Sequence, residues 1–340
     1  MPEPTVQPNI AVEKVATQSQ PLLQSILNEV GDAGKQAEKT RAEGILKYSS
    51  LIPRIEAYKD GVKRNLIVYI SRFGSPQSSI SQDDIAPIGS MLASMGEVEN
   101  LDLMINSPGG SGVVAEKIVE MCRRYCTKEF RVIVPNMAKS AATMISLGAD
   151  KIIMGYCSEL GPIDAQKFIN IGGMVQQVSA QSFIDARDKL IDKLHEAKKN
   201  NEEYMGYLQL LSSSTVEPAF IVECEREISF AKDFVKKWLT NYMLKSKYPS
   251  KTDKEREKIA NTIASNLSSA NEHFMHGRMI GMDECTKLEL NIMQLDKTDA
   301  LWNLFWELYV RAEVFLMASP GTDKPASKLF MDSRSYLVAY

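Results

Sequence analysis

Between residues 65 and 165 the chain alternates short apolar runs with longer stretches whose apolar positions recur every three or four residues. Leu66-Ile67-Val68-Tyr69-Ile70 is a continuous β-branched and aromatic run, the mark of a strand covered on both faces. A Ser/Gly/Pro/Gln-rich turn follows over 74–81. Ser81 then stands as an N-cap, with Asp83 and Asp84 favouring the positive helix end. Ile85, Ile88, Met91, Leu92 and Met95 are spaced to form one apolar helical face. The alternation continues with a strand over 101–105, a helix over 113–125 and a strand over 131–134. A small-residue helix over 138–148 and a strand over 151–154 complete it. Strands and helices alternating across short loops predict βαβ units and a mostly parallel sheet.

On either side the texture differs. The first 20 residues, rich in Pro, Gln, Thr and Val without period, read as a mobile arm. Leu22, Ile26 and Val30 sit at helical spacing ahead of a charged stretch, which predicts one or two surface helices before residue 60. Beyond residue 165 the pattern reads as helical. Phe183, Leu190, Ile191 and Leu194 share a face over 180–199, and Phe220, Ile221, Cys224, Ile228, Phe234, Val235 and Trp238 do so over 216–244. A basic polar connector covers 245–258. Trp302, Phe305, Trp306, Tyr309 and Phe315 crowd one helix at 301–316, which predicts a docked helix and a candidate oligomer contact. The division expected is an arm with surface helices at 1–60, an α/β domain at 61–295 and a C-terminal helix and tail at 296–340.

Composition narrows the class. With 40 basic against 43 acidic residues the formal charge is −3, so no bulk field draws in nucleic acid or anionic lipid. The five cysteines, Cys122, Cys126, Cys157, Cys224 and Cys285, show no CxxC spacing, which argues against a disulfide scaffold or zinc ribbon and for a reducing compartment. No apolar run reaches the roughly 18–20 residues that span a bilayer, and the first residues lack a secretory pattern. A soluble cytoplasmic protein is expected, with no membrane and no nucleic acid among its partners.

Histidine is scarce: only His195, His273 and His276. His273-x-x-His276 with Asp283 and Glu284 nearby is the one metal-like cluster, and it matches no established ligand set; no metal and no cofactor are expected. No P-loop occurs, and Gly109-Gly110-Ser111-Gly112 lacks the spacing of a dinucleotide turn.

Two segments carry a mechanism. Asn106-Ser107-Pro108-Gly109-Gly110-Ser111 lies between a strand and a helix, where adjacent glycines allow close backbone approach and N–H groups form an anion pocket. In Asn136-Met137-Ala138-Lys139-Ser140-Ala141-Ala142-Thr143, a serine opens a helix directly after a buried strand, in the manner of a nucleophile elbow but without GxSxG. The small neighbours leave room for a substrate carbonyl, and the Ala141 N–H is a second oxyanion donor. The plain alternative makes Ser140 an N-cap and the alanines packing residues.

Together the segments resemble the Clp protease proteolytic subunit and signal peptide peptidase A superfamily, serine peptidases of the crotonase-like fold. Asn106-Ser107-Pro108-Gly109-Gly110 is similar to its oxyanion loop, and Ala138-Lys139-Ser140-Ala141 to its nucleophile turn, with Ser140 31 residues after Gly109. Ser158-Glu159-Leu160-Gly161-Pro162-Ile163-Asp164 is closest to the serine dehydrogenase proteinase branch, and His276-Gly277-Arg278-Met279-Ile280 resembles a turn late in peptidase A sequences. The resemblance spans about residues 65–290. It implies an α/β, ClpP-like spiral of ββα units with a helical C-terminal region, and a homo-oligomeric, often ring-shaped peptidase acting on polypeptides, with an ATPase or adaptor as a further partner. It also implies a Ser140 nucleophile and an oxyanion hole from Gly109, Gly110 and Ala141.

The chain departs from the pattern at the base. The Clp-type histidine falls on Asp164, and no histidine lies between Met1 and Leu194. The peptidase A branch uses a lysine made neutral by desolvation. Lys193, flanking the apolar face of the 180–199 helix, and Lys189, further round it, are the lysine candidates; Asp164 is the third candidate. A crotonase-type acyl-coenzyme A enzyme and a non-catalytic scaffold subunit remain as rival readings.

Overall fold

The computed structural model describes residues 51–57, 62–75, 77–171, 173–212, 218–268, 277–317 and 326–339, together with Leu23 and Ile26. The N-terminal arm and the His273/His276 pair lie outside the described residues. In chain order the elements begin with α1 (Leu51–Glu56), β1 (Asn65–Ser71), α2 (Ile85–Met95), β2 (Val98–Asn106) and α3 (Gly112–Tyr125). They continue with β3 (Cys126–Val134), β4 (Met137–Ala138), α4 (Ala141–Leu147), β5 (Lys151–Met154) and β6 (Glu159–Leu160). A hairpin of β7 (Gln166–Ile171) and β8 (Met174–Ser179) leads to α5 (Ala180–Lys199), α6 (Met205–Ser212) and α7 (Pro218–Trp238). A π-helical turn, Leu239–Met243, joins α7 to α8 (Leu244–Lys247), followed by α9 (Asp253–Ser268) and β9 (Ile280–Gly281). The chain ends with α10 (Met282–Lys287), β10 (Ile292–Gln294), α11 (Ala300–Met317), β11 (Lys328–Met331) and β12 (Tyr336–Ala339).

The main sheet runs β10-β5-β3-β2-β1-β11-β12. Its β10-β5-β3-β2-β1 part is parallel, and β11 and β12 are added antiparallel. The fold class is α/β, as the alternating pattern predicts. The continuous apolar runs exist because both faces are covered. Ile67, Tyr69, Leu103, Ile105, Val132 and Val134 face α2, α3, α4, α7 and α9, while Leu66, Val68, Ile70, Met104 and Ile133 face α1 and α11.

Three features differ from the sequence expectation. Residues 166–179 form a hairpin where a helical texture was expected; Gly172-Gly173 between two runs of strand formers was the missed signal. The C-terminal segment holds strands as well as a helix: β11 pairs with β1, Val68 opposite Met331 and Ser71 opposite Lys328. Trp302 and Phe305 of α11 are buried against this chain's own sheet. The predicted helix over 138–148 begins later, at Ala141, because Met137 and Ala138 pair with β6. The connector at 245–258 contains the end of α8 and the start of α9. Among the described residues no helix is long and apolar enough to cross a membrane.

Candidate active site

The strand ladders deliver two loops to one place. β2 ends at Asn106, and the next residue, Ser107, bridges to Ala138 of β4. The Ser107 N–H donates to the Met137 carbonyl at 3.0 Å, and the Lys139 N–H donates to the Ser107 carbonyl at 3.0 Å. The segment carrying Ser140 is thus hydrogen-bonded directly to the segment carrying the glycines.

Gly109 and Gly110 have φ of +100° and +143°, which L side chains rarely adopt. Space forbids a side chain as well. A Cβ on Gly109 would lie 2.6 Å from the Lys139 carbonyl oxygen and 2.7 Å from the Ser140 Cβ; one on Gly110 would lie 2.4 Å from the Ile80 oxygen. Ile80 fixes this loop from the other side. Its N–H donates to the Gly109 carbonyl at 2.7 Å, and its carbonyl accepts from the Ser111 N–H at 2.9 Å. In a trans peptide the N–H opposes the C=O, so the Gly110 N–H points away from Ile80. The Gly109 N–H donates to Ser107 Oγ at 3.2 Å.

Ile80 is held in turn. Asp84, buried, accepts from the Ser81 N–H at 2.9 Å and the Tyr69 hydroxyl at 2.7 Å, and ion-pairs with Lys328 of β11 at 2.6 Å. Burial and the adjacent Asp84 charge push the Tyr69 phenol well above its ordinary range, so it stays a donor.

Ser140 has φ 51° and ψ −116°, a strained setting for a residue with a side chain. Its side chain makes no capping bond to α4, and it is half-buried. The plain N-cap reading therefore does not describe it. Ala141 carries the first N–H of α4, which has no acceptor within the helix. Ala138, Ala141 and Ala142 are buried against the core. The Thr143 hydroxyl donates to the Ala138 carbonyl at 2.7 Å and accepts from the Gly161 N–H at 3.1 Å, tying the turn to the segment that leads to Asp164.

Ser140, Gly109, Gly110 and Asp164 line one cavity of about 560 Å³. Its apolar wall is Met144, Ile163, Phe168 and Phe230, and Gln166, Gln177 and Glu227 add polar groups. Asp164 is buried, and its carboxylate accepts from the Gln166 amide. Lys193 and Lys189 are not brought to this cavity: both are exposed on α5. His195 is exposed on the same helix. Lys139 turns away from the cavity, ion-paired with Glu159 at 2.6 Å and donating to the Leu160 and Arg278 carbonyls at 3.2 Å each. A Cβ on Gly161 would sit 2.6 Å from the Lys139 side chain, so that glycine makes room for the lysine. Lys167 is half-buried. Burial lowers its pKa, but hydrogen bonds and ion pairs with Glu227 and Glu223 outweigh this and hold it above the ordinary value. It is a fixed cation. Among the described residues no cluster of His, Cys, Asp and Glu is suited to a metal ion.

Sequence reasoning missed Ile80, the hairpin residues Phe168 and Gln177, and Glu227 and Phe230 of α7. Only the hairpin left a readable trace, in its Gly-Gly turn.

A family profile described as ClpP-like SDH-type serine proteinase matches residues 73–204, which include both loops and Asp164. Two uncharacterized proteins of Methanocaldococcus jannaschii are similar. MJ0137 is 38% identical over 98 residues, 28% of this chain and 34% of that protein. MJ1495 is 38% identical over 66 residues, 19% and 22%. The chain thus spans about a third or less of these relatives' own lengths. Among solved structures, a serine-to-alanine variant of the 1510-N membrane-bound stomatin-specific protease aligns over 50% of this chain and 86% of its own, at TM-score 0.28 and 13% identity. A lysine-to-alanine variant of that protease in complex with a substrate peptide aligns over 73% and 99%, at TM-score 0.31 and 12% identity. Over residues 73–204 the chain is thus similar to the ClpP-like serine proteinases of the serine dehydrogenase proteinase type.

Proposed function

We propose that this chain is a serine peptidase in which Ser140 attacks the peptide carbonyl, the N–H groups of Gly110 and Ala141 receive the oxyanion, and Asp164 takes the proton. The observation that carries the reading is the backbone of Ser140: a positive φ, an uncapped side chain and a glycine loop packed against its Cβ. Strain of this kind persists where the surroundings over-determine it, and a nucleophile elbow does so to present its hydroxyl.

In the acylation step the Ser140 Oγ bonds to the carbonyl carbon as its proton passes to the Asp164 carboxylate, directly or through one water. The carbonyl oxygen gains the negative charge opposite the two N–H donors, each worth about 2.7–4 kcal/mol in comparable sites. The C–N bond then breaks, the amine leaves with the proton from Asp164, and water hydrolyses the acyl-serine by the same route reversed. Gly109 serves as room for Ser140 and not as a donor, since its N–H is engaged by Ser107. Asp164 is favoured over Lys193 and Lys189 because it shares the Ser140 cavity and they do not. The resemblance adds a polypeptide substrate, a homo-oligomeric state and delivery by an ATPase or adaptor, and the cysteine pattern and the sequence motifs add work in the cytoplasm without a cofactor.

The test is Ser140→Ala beside Asp164→Asn. Loss of fluorophosphonate labelling and peptide hydrolysis in the first, and a roughly 10²-fold or greater fall in kcat in the second, is the expected result. Labelling or turnover that survives Ser140→Ala refutes the nucleophile. A second reading, a scaffold subunit without turnover, draws on Asp164 standing at the Clp-type histidine position with its carboxylate already engaged by Gln166. It predicts clean assembly and no hydrolysis of any peptide library. Binding of acyl-coenzyme A without serine labelling would instead favour the crotonase-type reading.

A further inference from the structure

The two catalytic loops begin with asparagines, Asn106 and Asn136, and both side chains reach the same turn of α11. Asn106 is fully buried. Its amide nitrogen donates to Glu313 Oε1 at 3.0 Å, and its amide oxygen accepts from the Met137 N–H at 3.1 Å. Asn136 donates from its amide nitrogen to the Tyr309 hydroxyl at 3.0 Å. Tyr309 and Glu313, four residues apart on one helical face, are hydrogen-bonded to each other. The contacts close a ring: Asn106 to Glu313, Glu313 to Tyr309, Tyr309 to Asn136, and Met137 back to Asn106.

We propose that Tyr309 and Glu313 are positioning residues for the reaction at Ser140, bracing the oxyanion loop and the nucleophile turn against each other through Asn106 and Asn136. This rests on the peptidase reading above. Gly109 is three residues beyond Asn106 and Ser140 four beyond Asn136, so the ring sits at the base of both loops, and none of its residues lines the cavity. Tyr309 and Glu313 lie outside residues 73–204, so the α11 side of this brace comes from a part of the chain that the family match does not cover.

Glu313 is poorly placed for stability alone. It lies towards the C-terminal end of α11, where the helix dipole disfavours a carboxylate. Burial pushes its carboxyl above the ordinary range, against the lowering effects of Tyr309 and Arg72. What the carboxyl gains there is two defined hydrogen bonds that bear on the two loops. The geometric demand is strict, because a misplacement of about 1 Å at reacting groups costs about 10²-fold in rate.

The test uses the full chain carrying Glu313→Gln, Tyr309→Phe and both together. Glu307→Gln, on the same helix and paired with Arg311, is the control. Two readouts are taken: Ser140 labelling and peptide hydrolysis, and hydrogen–deuterium exchange over 106–112 and 136–142. The expected result is a ten- to hundredfold fall in labelling rate and kcat with KM within about twofold. Exchange in both loops should rise while β5 stays protected. The double variant should be no worse than the poorer single one, as members of one ring are non-additive. Wild-type rates and unchanged exchange in both variants overturn the brace, as does an equal effect of Glu307→Gln. If the unmodified chain neither labels nor hydrolyses while loop exchange still rises in the variants, the peptidase reading fails and the mechanical link stands; if exchange is also unchanged, both fall.

Discussion

Gly109→Ala separates packing from conformational strain at the site. Any side chain at φ +100° carries a conformational cost of about 1–3 kcal/mol. Here the new methyl would also meet the Lys139 oxygen at 2.6 Å and the Ser140 Cβ at 2.7 Å, where ordinary contact begins near 3.4 Å. The two loops must therefore part by roughly 0.7 Å to restore van der Waals separation. Two backbone hydrogen bonds, from the Ser107 N–H to Met137 and from the Lys139 N–H to Ser107, hold the loops together, so the shift falls on the Ser140 turn. A displacement of that size predicts a fall in Ser140 labelling of tens- to a hundredfold. The matched control is Gly96→Ala, at φ +71° after α2, where an added Cβ meets nothing within 4 Å. It should lose stability by about 1–3 kcal/mol and keep full labelling. Urea unfolding measures the first quantity and fluorophosphonate labelling the second. Equal stability losses in the two variants, with Gly109→Ala labelling at the wild-type rate, would refute the contact between glycine loop and nucleophile.

Three further outcomes follow from geometry already described. Ser140→Gly should abolish labelling yet raise stability by up to about 1 kcal/mol, because glycine adopts φ 51° without strain; Ser140→Ala should abolish labelling with no such gain, as thermal unfolding of the pair will show. Lys328→Met should cost about 3–5 kcal/mol in urea unfolding by leaving the Asp84 carboxylate buried and unpaired, and adding Asp84→Asn should recover part of it. Burial pushes the Cys122 and Cys285 thiols up to about 12, so neither forms thiolate at pH 8; iodoacetamide should leave both unmodified in the native protein and modify both in denaturant, read by mass spectrometry.

Legibility in the sequence followed burial. β5 matches the residues expected of it and α3 differs by one residue, because the apolar run of the first and the apolar face of the second are continuous and buried. The β7–β8 hairpin escaped notice because its strands are largely exposed, so no buried face imprints an alternation on Gln166 to Ser179. β11 and β12 are four residues each, too short for any period to show. The Ser140 turn and glycine loop were readable as local patterns, since small residues and twin glycines answer to close backbone approach. The residue proposed here as the base was not. Lys193 flanks an apolar helical face on paper, but α5 buries only Ala180 and Ala197, so the flank faces solvent. Which carboxylate or amine shares a cavity with Ser140 depends on the packing of β7, β8 and α7, and no spacing within one segment encodes that.

The pairing of β1 with β11 has a temporal side. Strands β1, β2, β3 and β5 can align once residue 154 has been made, whereas one edge of β1 stays open until residues 328–331 are available. Lys328, which neutralises Asp84 beneath the Ile80 clamp, arrives on that same strand. Such distant pairing is slow and comes late in folding. A growing polypeptide would thus carry its hydroxyl and glycine turns for some 170 residues before the strand that supports the Ile80 clamp has been made.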